Sequence, residues 1–295
     1  MTTVRVSVGR LSVECEPEDE ATAHVMAEAC NEALRLAKAS WGLGPPADCR
    51  LYVMTSWRGF IFQSAPWPWR VMLALNYPLW SGRARRTWPY SAGWTQHYGR
   101  QIAIGIKPPL LLETSDKSVG VHMFVEEKDP VAKIRHLTCH ELIHAASAHL
   151  HLPAWLNEGL AAASVDRFMG KPTIREDSLG LLQRTQPKSA PPSYRAMSRL
   201  QGETLAYHAV RGYWIVRLLE ETCPGVLREL LSVRRTAKEI ERRVADGLLI
   251  PPERLWTEID QVLVDYFNRH GPSAPQANNG LGASALRHPG PHASR

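Results

Sequence analysis

The stretch DPVAKIRHLTCHELIHAASAHLHLPAWLNEGLAAASVDRFMG, residues 129 to 170, constrains the fold more than any other. Asp129 before Pro130 marks a helix start, because the carboxylate can cap free amides and proline has no N–H to leave unpaired there. Helical periodicity then runs to about Leu150. A second helix opens at Pro153 and stops at Gly170. A link as short as HLP makes the two helices antiparallel neighbours. His151 lies midway between His144 and Glu158, so the reversal sets those two side chains level across the interface.

The core of the first helix is His140-Glu141-Leu142-Ile143-His144. Residues four apart stand one turn apart on nearly the same face, so His140 and His144 can offer ring nitrogens to one ion. Glu141 is too close in sequence to His140 to share the coordination comfortably. It is placed instead to take a proton from water that the ion activates. The better candidate for the third ligand is Glu158, which has the reach and the charge. Two neutral imidazoles and one carboxylate, with a fourth position for water, suit a single zinc ion. The extended pattern with a glycine and a third histidine fails, since Ser147 and Leu150 occupy those places. His149 is turned about 140° from His144, and His151 sits two turns further along the axis. His136 shares the face without a need for metal. Cys139 points about 100° away from His140 and reads as a packed small residue.

The preceding part is sheet-like. Val4, Val6 and Val8, then Leu11, Val13 and Cys15, alternate with polar residues around Gly9-Arg10, a hairpin pattern. A helix follows from Pro17 to about Gly42, with Val25, Ala29, Ala33 and Ala37 as its inward stripe. Residues 50–56 and 100–108 read as strands, the second suited to a sheet edge by Gly105 and Pro108. Residues 119–127 make another strand-like run. Between the first two strands, residues 57–98 hold six of the ten tryptophans and Pro66, Pro68, Pro78 and Pro89. The expectation there is an irregular insertion whose rings mostly fill core, with a lid over a cleft as the sharper alternative. Residues 171–200 read as loop. From Glu203 the chain is helical, roughly 203–221, 224–234 and 252–269, and 271–295 is a disordered tail. One domain, 1–270, is expected, with a sheet-rich part to 129 and a helical part from 130.

Composition narrows the function classes. The formal net charge is +6, but nothing concentrates it into a nucleic-acid motif. The best basic run, Ser232 to Arg243, reads as a solvated helix. No stretch is long enough to span a membrane. The N-terminus alternates instead of forming the apolar block of a secretory signal. Five cysteines, an odd number at irregular spacing, argue against a disulfide framework. A cytoplasmic protein with free thiols is expected.

At HELIH and LPAWLNEGLA the chain resembles the gluzincin zinc metallopeptidases, and more closely the bacterial proteins with a peptidase MA-like domain. Their pattern is HExxH followed by P-x-W-L-x-E-G-x-A, which Pro153, Trp155, Leu156, Glu158, Gly159 and Ala161 match. The resemblance covers roughly residues 1 to 235 and is specific at the two motifs. It implies an α+β, zincin-like fold, with a small mixed sheet and a helix before the HExxH helix, the Glu helix and a helical C-terminal part. It also implies His140, His144 and Glu158 as zinc ligands and Glu141 as catalytic acid/base. The aminopeptidase-type Gly-Ala-Met-Glu-Asn motif is absent, which argues against a standard aminopeptidase. The oxyanion donor implied by the family is a Tyr or His. Tyr207 and His208 are the candidates, Tyr207 preferred for its likeness to the family's Ala-Tyr. A peptide or protein substrate could pair with the strand at Gln101 to Lys107. The rival readings are a catalytically idle zinc-bound binding module and a non-peptide metallohydrolase.

Overall fold

The alternation near the N-terminus does make a hairpin: Val4–Val8 (β1) and Leu11–Cys15 (β2) pair antiparallel, with Val8 opposite Leu11 across Gly9 at φ 56°. The computed structural model describes residues 3–115, 123–185, 190–197, 199–200 and 202–271. The expected tail beyond Gly271 and residues 119–122 of the strand-like run at 119–127 therefore lie outside the described residues; the described remainder, 123–127, forms no strand beyond a single bridge at Phe124.

Helix α1 (Glu20–Trp41) carries the chain from β2 to β3 (Cys49–Val53), which pairs parallel to β2. It ends where Gly42 turns left-handed, φ 71°, and donates its N–H to the carbonyls of Ala37 and Lys38. Its buried stripe includes Ala29, Ala33 and Ala37 as expected, but centres on Met26 and Cys30; Val25 is half-buried. Strand β4 (Gly93–Tyr98) and strand β5 (Gln101–Ile106) complete a five-stranded sheet in the order β1-β2-β3-β5-β4.

That order corrects the expected edge. β5 is paired on both sides, parallel to β3 and antiparallel to β4, and β4 is the edge. Gly105 has a different cause. A Cβ there would lie 2.7 Å from the Met54 sulfur and 2.8 Å from the Phe60 ring, so the glycine admits packing on the sheet face.

The pleat divides the two faces. Leu51, Val53, Ile102, Ile104 and Ile106 join the main core with α1. Tyr52, Ala103 and Tyr98 face a smaller second core with Met54, Phe60 and Ile61. The tryptophan-rich segment builds that second core and is largely helical: α2 (Trp57–Ser64), α3 (Trp67–Leu75) and α4 (Tyr77–Thr87) precede β4. The prolines do not break these helices because they stand at their openings. Pro66 caps α3, and Pro68 and Pro78 occupy first turns, where a missing N–H costs nothing. Trp57, Trp69, Trp80, Trp88 and Trp94 pack on the second core, whereas Trp67 is 74% exposed.

The other half is helical. After α5 (Pro109–Ser115), Phe124 makes one antiparallel bridge to Ile174. Helix α6 (Pro130–Ser147) starts as expected, with the Asp129 carboxylate accepting from the Val131 amide at 2.9 Å. A short 3-10 turn and His151 at φ 51° reverse the chain into α7 (Ala154–Met169), which Gly170 ends at φ 65°. The expected loop at 171–200 contains two short helices, α8 (Leu179–Arg184) and α9 (Tyr194–Met197). Then come α10 (Gly202–Thr222), α11 (Pro224–Ser232), α12 (Ala237–Gly247) and α13 (Leu255–His270). The basic run from Ser232 thus opens α12, which the Thr236–Glu239 capping box starts. The architecture is mixed α+β, a small sheet at the N-terminal end and helices beyond it.

Candidate metal centre

Helix α6 turns Ile134, Thr138, Cys139, Leu142, Ile143 and Ala146 into the core. That fixes its rotation and aims His140 and His144 the other way. In α7 every residue from 154 to 166 is buried except Asn157 and Glu158. Glu158 is thereby confined to the same opening.

The three side chains meet there. His140 Nε2 and His144 Nε2 are 3.1 Å apart, and Glu158 Oε2 lies 3.5 Å from the first and 3.6 Å from the second. A tetrahedral ion with bonds of about 2.1 Å separates its ligands by about 3.4 Å, so these distances are those of one tetrahedral face. Imidazole and carboxylate donors also suit zinc chemically. Among the described residues, this is the one group of three His, Cys, Asp or Glu side chains gathered closely enough to hold a metal. Burial works against charge on Glu158. The His144 charge and the hydrogen bond from His140 outweigh it and hold the carboxyl well below its ordinary range.

Glu141 leaves the cluster and crosses to the sheet. Its Oε2 accepts from Thr95 Oγ1 of β4 at 2.5 Å. Its other oxygen lies so close to Gly93 that a Cβ at that position would come within 2.7 Å. The sheet-edge strand therefore carries both the space and the hydroxyl that set the Glu141 carboxylate.

His140 and Glu158 line a cleft of about 920 Å³. Its walls include Arg83 and Arg86 of α4, Arg199, the apolar Phe124 and Met197, and Tyr194 of α9. The Tyr194 hydroxyl is hydrogen-bonded by the Asn157 side-chain amide, whose oxygen accepts from Ser147 Oγ at 2.9 Å. This relay ties α6, α7 and α9 together at the cleft.

The structure does not bring Tyr207 to this place. Its ring is 2% exposed, and its hydroxyl donates at 2.7 Å to Asp260 of α13. Asp260 also pairs at 2.6 Å with the buried Arg211. Tyr207 therefore belongs to a polar group inside the helical half. His208 packs against the Tyr207 ring at 4.9 Å and does not line the cleft, although Leu205 and Ala209 do. His149 Nδ1 faces the Ala146 carbonyl at 3.0 Å, and His151 serves the chain reversal. Neither joins the cluster. Cys139 is fully buried, as a packing residue should be.

Thr95, Asn157 and Tyr194 were not candidates from sequence. Asn157 carried a signal, since it stands next to Glu158 on a helix whose neighbours are otherwise apolar. Thr95 and Tyr194 carried none, because their relation to the cluster arises only through the fold. No helix among the described residues is long and apolar enough to cross a membrane. The chain matches no family model and no curated protein.

Proposed function

We propose that the chain is a zinc-dependent peptidase of the gluzincin kind, similar to peptidase MA-like proteins, with a zincin-like arrangement of sheet and helices. The observation that carries this reading is the closed His140–His144–Glu158 triangle with Glu141 beside it, outside the ligand set and held by Thr95.

His140, His144 and Glu158 would hold one zinc ion, which supplies Lewis acidity toward water and a carbonyl oxygen. The remaining work falls to the chain's own residues. Glu141 is the general base: its carboxylate takes a proton from the attacking water and later returns it to the leaving amine. Thr95 keeps that carboxylate from swinging toward the cluster. Tyr194, which lines the cleft with its hydroxyl against Asn157, replaces Tyr207 as the candidate hydroxyl donor to the developing oxyanion. An extended peptide pairs with β4, the edge strand, by strand addition. The register then runs along Gly93 to Tyr98, past Glu141. The arginines on the cleft walls favour peptides with acidic side chains near the bond that breaks.

The test is elemental analysis of the wild type and of Glu158→Gln, with a peptide library cleaved by the same wild-type sample. About one zinc per wild-type chain, mostly lost in the variant, together with cleavage, is the expected result. Zinc without cleavage leaves an idle binding domain. A wild type that takes up no zinc removes the reading altogether.

A further inference from the structure

The tryptophan-rich excursion has a second face that the peptidase reading does not use. Helix α3 buries no residue at all. Trp69 and Leu73 turn partly toward the second core. Trp67, Val71 and Leu75, each four residues on, form an opposite stripe that is 74%, 41% and 79% exposed. Met72 at 44% and Leu79 at 83%, the latter in the first turn of α4, extend it. A helix apolar on both sides is normally buried on both. A run of large side chains left in water marks a surface that something covers.

The segment that carries this stripe has charge of one sign. From residue 49 to residue 112 there is no Asp or Glu, while Arg50, Arg58, Arg70, Arg83, Arg85, Arg86, Arg100 and Lys107 all fall there. The whole chain carries +6, so this segment holds more than the entire excess. Three of these arginines have neutral partners within the segment. Arg70 donates to the carbonyls of Ala65 and Gln63, Arg86 Nε to that of Gly82, and Arg58 lies 5.6 Å from the Tyr77 ring centre. Such contacts position a guanidinium without cancelling its charge.

We infer that α3 and the start of α4 dock on an anionic phospholipid surface, lying in the interface without crossing it. Trp67, Val71, Met72, Leu75 and Leu79 enter the boundary between headgroups and acyl chains, and the exposed Arg58 and Arg70 beside them meet the lipid phosphates. Exposed aliphatic side chains decide for lipid over nucleic acid. A polynucleotide binds arginine and stacks on tryptophan, but it offers no apolar medium to valine, leucine and methionine. The placement has a consequence. Leu79, Arg83 and Arg86 stand at i, i+4 and i+7, on one face of α4. Arg83 and Arg86 line the cleft, so the docked surface ends about 6 Å along the helix from the first cleft-wall residue.

Flotation of the full chain with phosphatidylcholine vesicles, with and without phosphatidylserine, tests this without reference to activity. The wild type should float with the phosphatidylserine vesicles, much less with phosphatidylcholine alone, and be released by salt. Leu75→Ser with Leu79→Ser should weaken partitioning about tenfold for each leucine. Its thermal unfolding and zinc content should stay as in the wild type. A wild type that floats with neither vesicle overturns the proposal, as does a double variant that floats as well as the wild type. Binding to oligonucleotides in place of vesicles overturns it in favour of nucleic acid. A double variant that merely turns a dimer into a monomer, with vesicle binding absent throughout, overturns it in favour of a second copy.

Discussion

Replacing Gly159 by alanine puts one methyl group where two helix backbones touch. The new Cβ would stand 2.2 Å from the Gly212 carbonyl oxygen and 2.4 Å from its carbon. A carbon and a carbonyl oxygen sit comfortably no closer than about 3.3 Å. Both obstacles are main chain of α10, so no rotamer change relieves them, and α7 and α10 must part by about 1 Å. A gap of that size forfeits a quarter to a half of each dispersion contact along the crossing, and overpacked cores typically lose about 1–3 kcal/mol. Because the obstruction is backbone, a loss at or above the top of that range, about 3 kcal/mol, is expected. Glu158 precedes Gly159, so the same shift carries its carboxylate away from the histidine pair. Affinity for the proposed zinc ion should fall at least about tenfold, in the manner of other disturbed ligand supports. Urea denaturation of the metal-free protein reads the first effect as a lower midpoint at unchanged slope. Chelator competition reads the second. Gly212→Ala meets the same crossing from the other side, 2.1 Å from the Trp155 carbonyl oxygen, so the double variant should lose less than the sum of the singles. A Gly159→Ala protein within about 0.5 kcal/mol of wild type, with unchanged zinc affinity, would show that the helices do not meet as described.

Three further outcomes follow from single contacts. Thr95→Val removes the hydroxyl that Glu141 accepts from at 2.5 Å; peptide turnover should drop roughly tenfold or more with zinc content intact, and unchanged turnover would free Glu141 from any dependence on β4. Tyr207→Phe should lower stability by about 1.5–3 kcal/mol, the worth of a hydrogen bond to a charged group, and spare turnover, whereas Tyr194→Phe should do the reverse; the opposite pattern in paired denaturation and rate measurements would return the oxyanion role to Tyr207. Lys107 is 2% exposed, and burial lowers its pKa from the usual 10.5 to about 8. Between those values the unfolded chain binds more protons, so wild-type stability should rise with pH relative to Lys107→Met, by up to about 3 kcal/mol. Denaturation of both proteins at neutral and alkaline pH checks it, and parallel curves would refute it.

The parts of this molecule that sequence discloses are those set by neighbours in the chain. Asp129 with Pro130, and Gly170 at the far end, are local devices, and they bound the helix pair correctly. The gathering of His140, His144 and Glu158 was legible for the same reason. Two of the side chains share a helix turn, and the third is placed by a reversal so short that its geometry follows from counting. Elsewhere a residue type admitted two causes. Gly105 is as compatible with an edge strand as with a crowded interior, and only the positions of Met54 and Phe60 separate them. Prolines punctuating the tryptophan-rich segment suggested irregularity, because nothing nearby says whether a proline interrupts a helix or opens one.

The contacts that complete the candidate site are of another kind. Thr95 reaches Glu141 across 46 positions, and Tyr207 is taken from the site by Asp260, 53 positions on. Helix α10 also buries residues around its whole circumference, so periodicity could not say which way Tyr207 faces. A candidate metal site of this type can therefore be located from the spacing of its side chains while the groups around it stay hidden. Those side chains answer to the pitch of one helix pair, but the surrounding groups answer to how that pair is packed against the sheet.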